Sequence, residues 1–141
     1  MKVTKEVTFD SAHMLSNYRG KCSNLHGHTY KLQVTLEGTT QREGNEECMV
    51  VDFNTLKQVI DTVVDHFDHA LIFSDEDHRN EAEDALMEWA NKFGMNYMVI
   101  EGGKSTSECI ALDIKTQIEC VCPGFNVSVK LWETPTSFAE V

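Results

Sequence analysis

The densest chemistry in this 141-residue chain lies in seven residues, Cys22-Ser23-Asn24-Leu25-His26-Gly27-His28. They hold one thiol and two imidazoles. Residues two apart in an extended segment project to the same face, so His26 and His28 would present their rings together. A third imidazole, His13, closes the preceding run of alternating residues. Three neutral histidines and an open fourth position make a catalytic zinc site, whereas structural zinc is usually closed by four ligands, mostly thiolates. His-x-His alone is equally compatible with two histidines meeting in a turn. The surrounding elements must decide.

Two strands have to position these rings. Residues 2 to 10 alternate, with Val3, Val7 and Phe9 on one face of a half-buried antiparallel strand, and His13 continues the odd parity. Residues 14 to 25, with Asn17, Gly20, Ser23 and Asn24, read as a loop. The next strand, from about 28 to 37, buries Tyr30, Leu32, Val34 and Leu36 on its even face, a parity that His26 and His28 share. If extended backbone runs through Gly27, all three imidazoles stand at strand ends on the core-facing side. Such a concave, dry place suits a metal.

The remaining elements follow from periodicity and punctuation. Gly38 to Glu47 is a polar loop, and Met49-Val50-Val51 is expected to form a short strand. Asp52 has the chemistry of an N-cap for a helix bearing Phe53, Leu56, Ile60, Val63 and Phe67, which must end near Phe67. Residues 74 to 81 read as a solvated connection. A second helix over about 81–93 shows an apolar stripe of Ala82, Leu86, Trp89, Ala90 and Phe93, with Gly94 as its stop and a short buried strand at Tyr97 to Ile100. Ser105-Thr106-Ser107-Glu108 matches a capping box, Ser105 at the N-cap and Glu108 at N3, before a helix bearing Ile110, Ile114 and Ile118. Pro123-Gly124 ends that helix. A strand then alternates Val127, Val129, Leu131 and Glu133, and Ser137 to Val141 reads as a final edge strand.

Composition narrows the function classes. The length suits one domain spanning 1–141. A net charge of -11 argues against a nucleic-acid or anionic-membrane partner, since phosphate binding needs a basic surface. No apolar run approaches the roughly 18 residues of a membrane span, and Met1 to Glu6 lacks the apolar segment of a signal peptide. The expected location is the cytoplasm. There the five cysteines, odd in number, would be reduced thiols, and Cys120-Val121-Cys122 falls at the end of a helical pattern.

Four further residues invite chemistry. Cys22 alone reads as an ordinary thiol, but four residues before His26, beside a metal, it would have a reason to ionise. Asp68-His69 is open between a solvated helix end, where the histidine complements the helix dipole, and a working pair. Glu108 is better explained by its cap. Glu133 ends an apolar strand face, where a carboxylate is costly without a partner. His66 and His78 lack the strand-end parity and stand outside the metal set.

Taken in order, Phe9-Asp10-Ser11-Ala12-His13, Cys22 through His28, Asp68-His69, Thr106-Ser107-Glu108 and Trp132-Glu133-Thr134-Pro135-Thr136-Ser137 resemble the 6-pyruvoyl- and 6-carboxy-tetrahydropterin synthase family across nearly the whole chain. The resemblance implies an α+β tunnelling fold (T-fold): an antiparallel sheet with helices on one face, several subunits closing a barrel as a trimer-based hexamer or a tetramer. It implies Zn2+ on His13, His26 and His28, Cys22 as proton acceptor, Asp68 and His69 as a relay, and Glu133 as the pterin anchor. The Glu-Thr-Pro-Thr-Ser ending looks more like the carboxy branch of queuosine biosynthesis, a lyase acting on 7,8-dihydroneopterin triphosphate, than the pyruvoyl branch of biopterin biosynthesis. Two readings of other classes stay open: a cysteine hydrolase using Cys22, His69 and Asp68, and a non-enzymatic zinc-stabilised interaction module.

Overall fold

The computed structural model describes residues 1–141. Its spine is the antiparallel pair β1 (Lys2–His13) and β2 (His26–Glu37), in unbroken register from Lys2 opposite Glu37 to His13 opposite His26. Extended backbone does run through Gly27. Alternation explains the pair: the odd residues of β1 and the even residues of β2 turn to one side, where Phe9, Tyr30, Leu32, Val34 and Leu36 are buried.

Four more strands complete a six-stranded sheet of order β4-β3-β1-β2-β5-β6. On the β2 side, β5 (Asn126–Thr134) and β6 (Ser137–Glu140) continue antiparallel. On the β1 side, β3 (Ala70–Ser74) and β4 (Tyr97–Ile100) run parallel, Ser11 of β1 standing beside Ala70. The sheet is therefore mixed where antiparallel strands were expected. β3 itself is absent from the sequence reading because Ala70-Leu71-Ile72-Phe73 is an unbroken apolar run, as parallel strands often are, with no alternation to mark it.

Two helices cover the buried face. Asp52 caps α1 (Phe53–Val64) as expected, accepting from the amides of Asn54 and Thr55. α1 ends three residues earlier than its stripe suggests, although Phe67 still reaches the core. Leu56, Ile60 and Val63 of α1 and Ile110, Ala111, Ile114 and Ile118 of α3 (Ser107–Val121) pack on the sheet with Val127, Val129 and Leu131 of β5. No helix is long and apolar enough to cross a membrane.

α2 (Glu81–Phe93), the crossover between β3 and β4, departs from its expected orientation. Gly94 ends it in the left-handed region at φ 64°, as predicted, but its buried residues are Glu83 and Ala90. Trp89 and Phe93 face outward with their rings 5.5 Å apart. The expected strand at Met49-Val50-Val51 does not form, although Val50 is buried.

The capping box is also displaced by one residue. Thr106, not Ser105, is the N-cap of α3, its side chain accepting from the Cys109 amide. Ser105 is wholly buried and serves the loop: its amide donates to Ser74 Oγ, its hydroxyl to the Met14 carbonyl. Glu108 is thereby released from the cap. Removing a cap hydroxyl costs about 1 kcal/mol, whereas stranding a buried carbonyl costs about 1–3 kcal/mol. In urea unfolding, Ser105→Ala should therefore destabilise more than Thr106→Ala. The reverse order would restore Ser105 as the cap.

Candidate active site

The paired ends of β1 and β2 bring His13, His26 and His28 together, with ring centroids 4.6 to 5.2 Å apart. One ligand nitrogen from each lies within 4.8 Å of the others. Backbone carbonyls fix the tautomers. His13 Nδ1 stands 2.5 Å from the Ser105 carbonyl and His26 Nδ1 2.8 Å from that of Asn24. A carbonyl only accepts, so each Nδ1 carries the proton and each Nε2 keeps a lone pair when the ring is neutral. Nε2 of His26 and Nε2 of His28 are both buried without any hydrogen-bond partner.

Two buried lone pairs with nothing to accept are costly. A cation among them removes that cost, and a donor set of three imidazoles is one that a transition metal accepts. The residues therefore fit a metal ion.

The surroundings of His13 and His28 favour their neutral forms. Burial pushes the His13 pKa below its ordinary value; the Ser105 carbonyl opposes that, while the neighbouring rings add to it. Burial likewise lowers His28, with Glu133 opposing. Glu133 Oε1 lies 3.6 Å from His13 Nε2 and 3.8 Å from His28 Nε2, but a neutral imidazole offers it no charge to pair with. Its carboxylate stands at the rim of the cluster. Tyr30, with its hydroxyl 3.5 Å from His13 Nε2, is held protonated by burial and by Glu133.

A second cluster sits at the far edge of β1. The Asp10 amide donates to Asp68 Oδ1 at 2.9 Å, and the His69 amide donates to the Asp10 carbonyl at 2.7 Å. His69 Nδ1 lies 3.0 Å from Asp68 Oδ2, which leaves its Nε2 toward solvent. The Asp10 amide, and secondarily His69, holds the Asp68 carboxyl below its ordinary pKa. A groove of about 650 Å³ runs past the second cluster to His28 at the edge of the first, lined by Asp10, Gly27, His28 and His69 with Trp89 and Met95 as apolar wall.

Residues 2–141 match the 6-pyruvoyl tetrahydropterin synthase family. The chain belongs to that family. It is 39% identical over 142 residues to the 6-carboxy-5,6,7,8-tetrahydropterin synthase of Haemophilus influenzae, covering 99% of this chain and 96% of the relative. The enzyme of the same name from Rickettsia bellii is 32% identical over 146 residues, covering 100% and 99%. Among solved structures, a Wolinella succinogenes protein described as uncharacterized superimposes with a TM-score of 0.74 at 22% identity, covering 100% of this chain and 97% of the other. The 6-pyruvoyl tetrahydropterin synthase of Plasmodium falciparum superimposes with 0.72 at 21%, covering 100% and 96%. The fold is accordingly the tunnelling fold of this synthase family.

Within that family frame the structure groups His13, His26, His28 and Glu133 in one cluster and Asp68 with His69 in another. Cys22 joins neither; it lies half-buried on a 3-10 turn, Lys21–Ser23. Cys120 and Cys122 lie away from both clusters, and all five thiols are unpaired. Glu108, which the sequence reading gave to the cap, shares a small recess with Glu133, Ser107 and Ser137. Counting the helix start from Thr106 would have freed it.

The lowered pKa values of His13 and His28 have a stability consequence. As pH falls below the ordinary value of 6.5, the unfolded chain takes up protons that the folded rings resist, so stability decreases until pH passes below the folded values. The metal-free protein should therefore show a Tm that falls between about pH 7 and pH 5, with a flatter profile in His13→Gln. Equal slopes in the two proteins would contradict this origin.

Proposed function

We propose that this chain is a zinc-dependent 6-carboxy-5,6,7,8-tetrahydropterin synthase, a carbon-carbon lyase of queuosine biosynthesis. It converts 7,8-dihydroneopterin triphosphate to 6-carboxy-5,6,7,8-tetrahydropterin with loss of acetaldehyde and triphosphate. The supporting observation is the convergence of unpartnered, buried Nε2 atoms on one point, in a chain that aligns end to end with synthases of that name.

His13, His26 and His28 would hold the ion. Bound there, zinc supplies Lewis-acid polarisation of the substrate's side-chain oxygens, which makes a carbon-bound proton removable. Cys22 acts as the base that takes this proton. His69, whose Nδ1–H is held by Asp68, presents Nε2 outward and, as the imidazolium, returns a proton to the substrate from that atom. Glu133 anchors the pterin, because a carboxylate can accept both N–H groups of its guanidine-like edge. The apolar wall of the groove suits the flat ring, and closing it limits competing hydrolysis.

The protein works in the cytoplasm as a homo-oligomer. β4 and β6 form the two open edges of the sheet, and unpaired edges are usually covered or closed into a barrel. Six strands per chain fall short of the roughly eight of a filled barrel.

Mass analysis after incubating the zinc-loaded protein with 7,8-dihydroneopterin triphosphate tests the reading. Acetaldehyde and the carboxy product are expected; a pyruvoyl product would move the chain to the other branch of its family. Activity that survives zinc removal would instead favour a cysteine hydrolase.

The variants separate the roles. Each of His13→Ala, His26→Ala and His28→Ala should lose zinc yet remain folded, as read by metal analysis and circular dichroism. Cys22→Ala should keep zinc and lose about 10² to 10⁴ in kcat. Zinc leaving with the thiol would make Cys22 a ligand. Glu133→Gln should raise KM with zinc retained, whereas zinc loss in that variant would make Glu133 a fourth ligand.

A further inference from the structure

Glu83 is the one acidic side chain of this protein with no solvent exposure. It stands on α2, a helix otherwise buried only through Ala90. Oε1 accepts from the Ser74 amide at 2.7 Å, and Oε2 accepts the Ser16 hydroxyl. Ser16 Oγ in turn accepts from the amide of Asn80, the N-cap of α2, at 3.0 Å. Two cations lie on the carbonyls of the same two serines: Arg79 donates to Ser74 O at 2.8 Å and Lys104 to Ser16 O at 3.2 Å.

From Ser74 the bonding continues to the histidine cluster. Ser74 Oγ accepts the Ser105 amide at 3.2 Å, and the Ser105 carbonyl accepts from His13 Nδ1 at 2.5 Å. Three hydrogen bonds thus connect the Glu83 carboxylate to the His13 ring. The Ser105 carbonyl is what sets the tautomer of His13, and the Ser105 hydroxyl, bonded to the Met14 carbonyl, ties it to the end of β1.

A buried carboxylate is a costly way to anchor a helix, since a leucine of similar size would be buried without desolvating a polar group. What the carboxylate adds is two acceptors in fixed positions. They hold the end of β3 and the loop after β1 at once, and so fix the seat of the Ser105 carbonyl. We propose that Glu83 is a positioning residue for the metal centre, acting through Ser74 and Ser105 to hold His13 with Nε2 turned toward the ion. This rests on the three-histidine metal site proposed above.

The test is zinc affinity, measured by competition with a chromogenic chelator on the metal-free full chain, together with the visible spectrum of the cobalt-substituted protein and the Tm of the metal-free form. Glu83→Gln keeps the size of the side chain but leaves one acceptor in place of two: with Oε1 on the Ser74 amide, its NH2 meets Ser16 Oγ, and the hydroxyl must give up its own donation to position 83. Loss of an outer partner of a ligating histidine typically costs about 10- to 100-fold in metal affinity, and about 10-fold is expected here. Ser74→Ala should give a loss of the same order, and the double variant should be no worse than the weaker single, because both cut one path. The cobalt spectrum should shift in all three.

Ile118→Val, a truncation in the buried face of α3, supplies the control for stability alone. It should lower Tm without moving zinc affinity or the cobalt spectrum. Wild-type zinc affinity in folded Glu83→Gln, or losses that add in the double variant, would overturn the positioning role. If the wild-type protein binds no zinc, the metal-site reading itself falls, and this inference with it.

Discussion

An imidazole that gives its Nδ1 proton to a backbone carbonyl has only a lone pair to offer at Nε2. His13 is committed in this way by Ser105 and His26 by Asn24, and a ligand nitrogen of each lies within 4.8 Å of the other and of one from His28. The rest of the molecule can be understood as meeting that constraint. β1 and β2 stay in register for twelve residues each, so His13 falls opposite His26 with His28 on the same face. β5 adds Glu133 at the rim because its inward parity, Val127, Val129 and Leu131, continues for one more step.

The two faces of the sheet do different work. One face carries the aliphatic core beneath α1 and α3, and its burial supplies most of the stabilisation at about 25 cal/mol per Å² of apolar surface. The other is polar, with a Thr4–Thr35 hydroxyl contact at 2.9 Å, a Lys31–Glu6 pair at 3.0 Å and Lys130 near Glu140. Pairs exposed to this degree contribute roughly 0–1 kcal/mol each. The histidine cluster lies at the end of the apolar side, with His13 buried and His28 the one ring of the three that also lines the groove. That position combines dryness at His13 with access for a small molecule at His28.

Much of this was legible in the sequence, and for one reason. A period of two needs no knowledge of partners, so the parity of Val3, Val7, Phe9 and His13 against Tyr30, Leu32, Val34 and Leu36 placed the three rings on one side. What escaped depended on partners. β3 has no alternation because both of its faces are buried, Ile72 and Phe73 alike. The apolar stripe of α2 pointed to Trp89 and Phe93, whereas the helix docks through Glu83, whose hydrogen bonds reach Ser74 and, 67 residues away in sequence, Ser16. Ser105 and Thr106 both suit an N-cap. Only the claim of Ser74, Met14 and His13 on Ser105 decides between them.

His69 holds a left-handed backbone conformation, with φ at 56°. Residues with a Cβ adopt it at a cost of order 1–3 kcal/mol, and glycine adopts it freely. The turn from α1 into β3 needs that conformation, since it is what lets the His69 amide reach the Asp10 carbonyl. The backbone alone would thus favour glycine or asparagine at the position where this chain carries an imidazole. A selection for heat resistance alone would push position 69 away from histidine, and a stabilised variant recovered that way would have traded the imidazole for a relaxed turn.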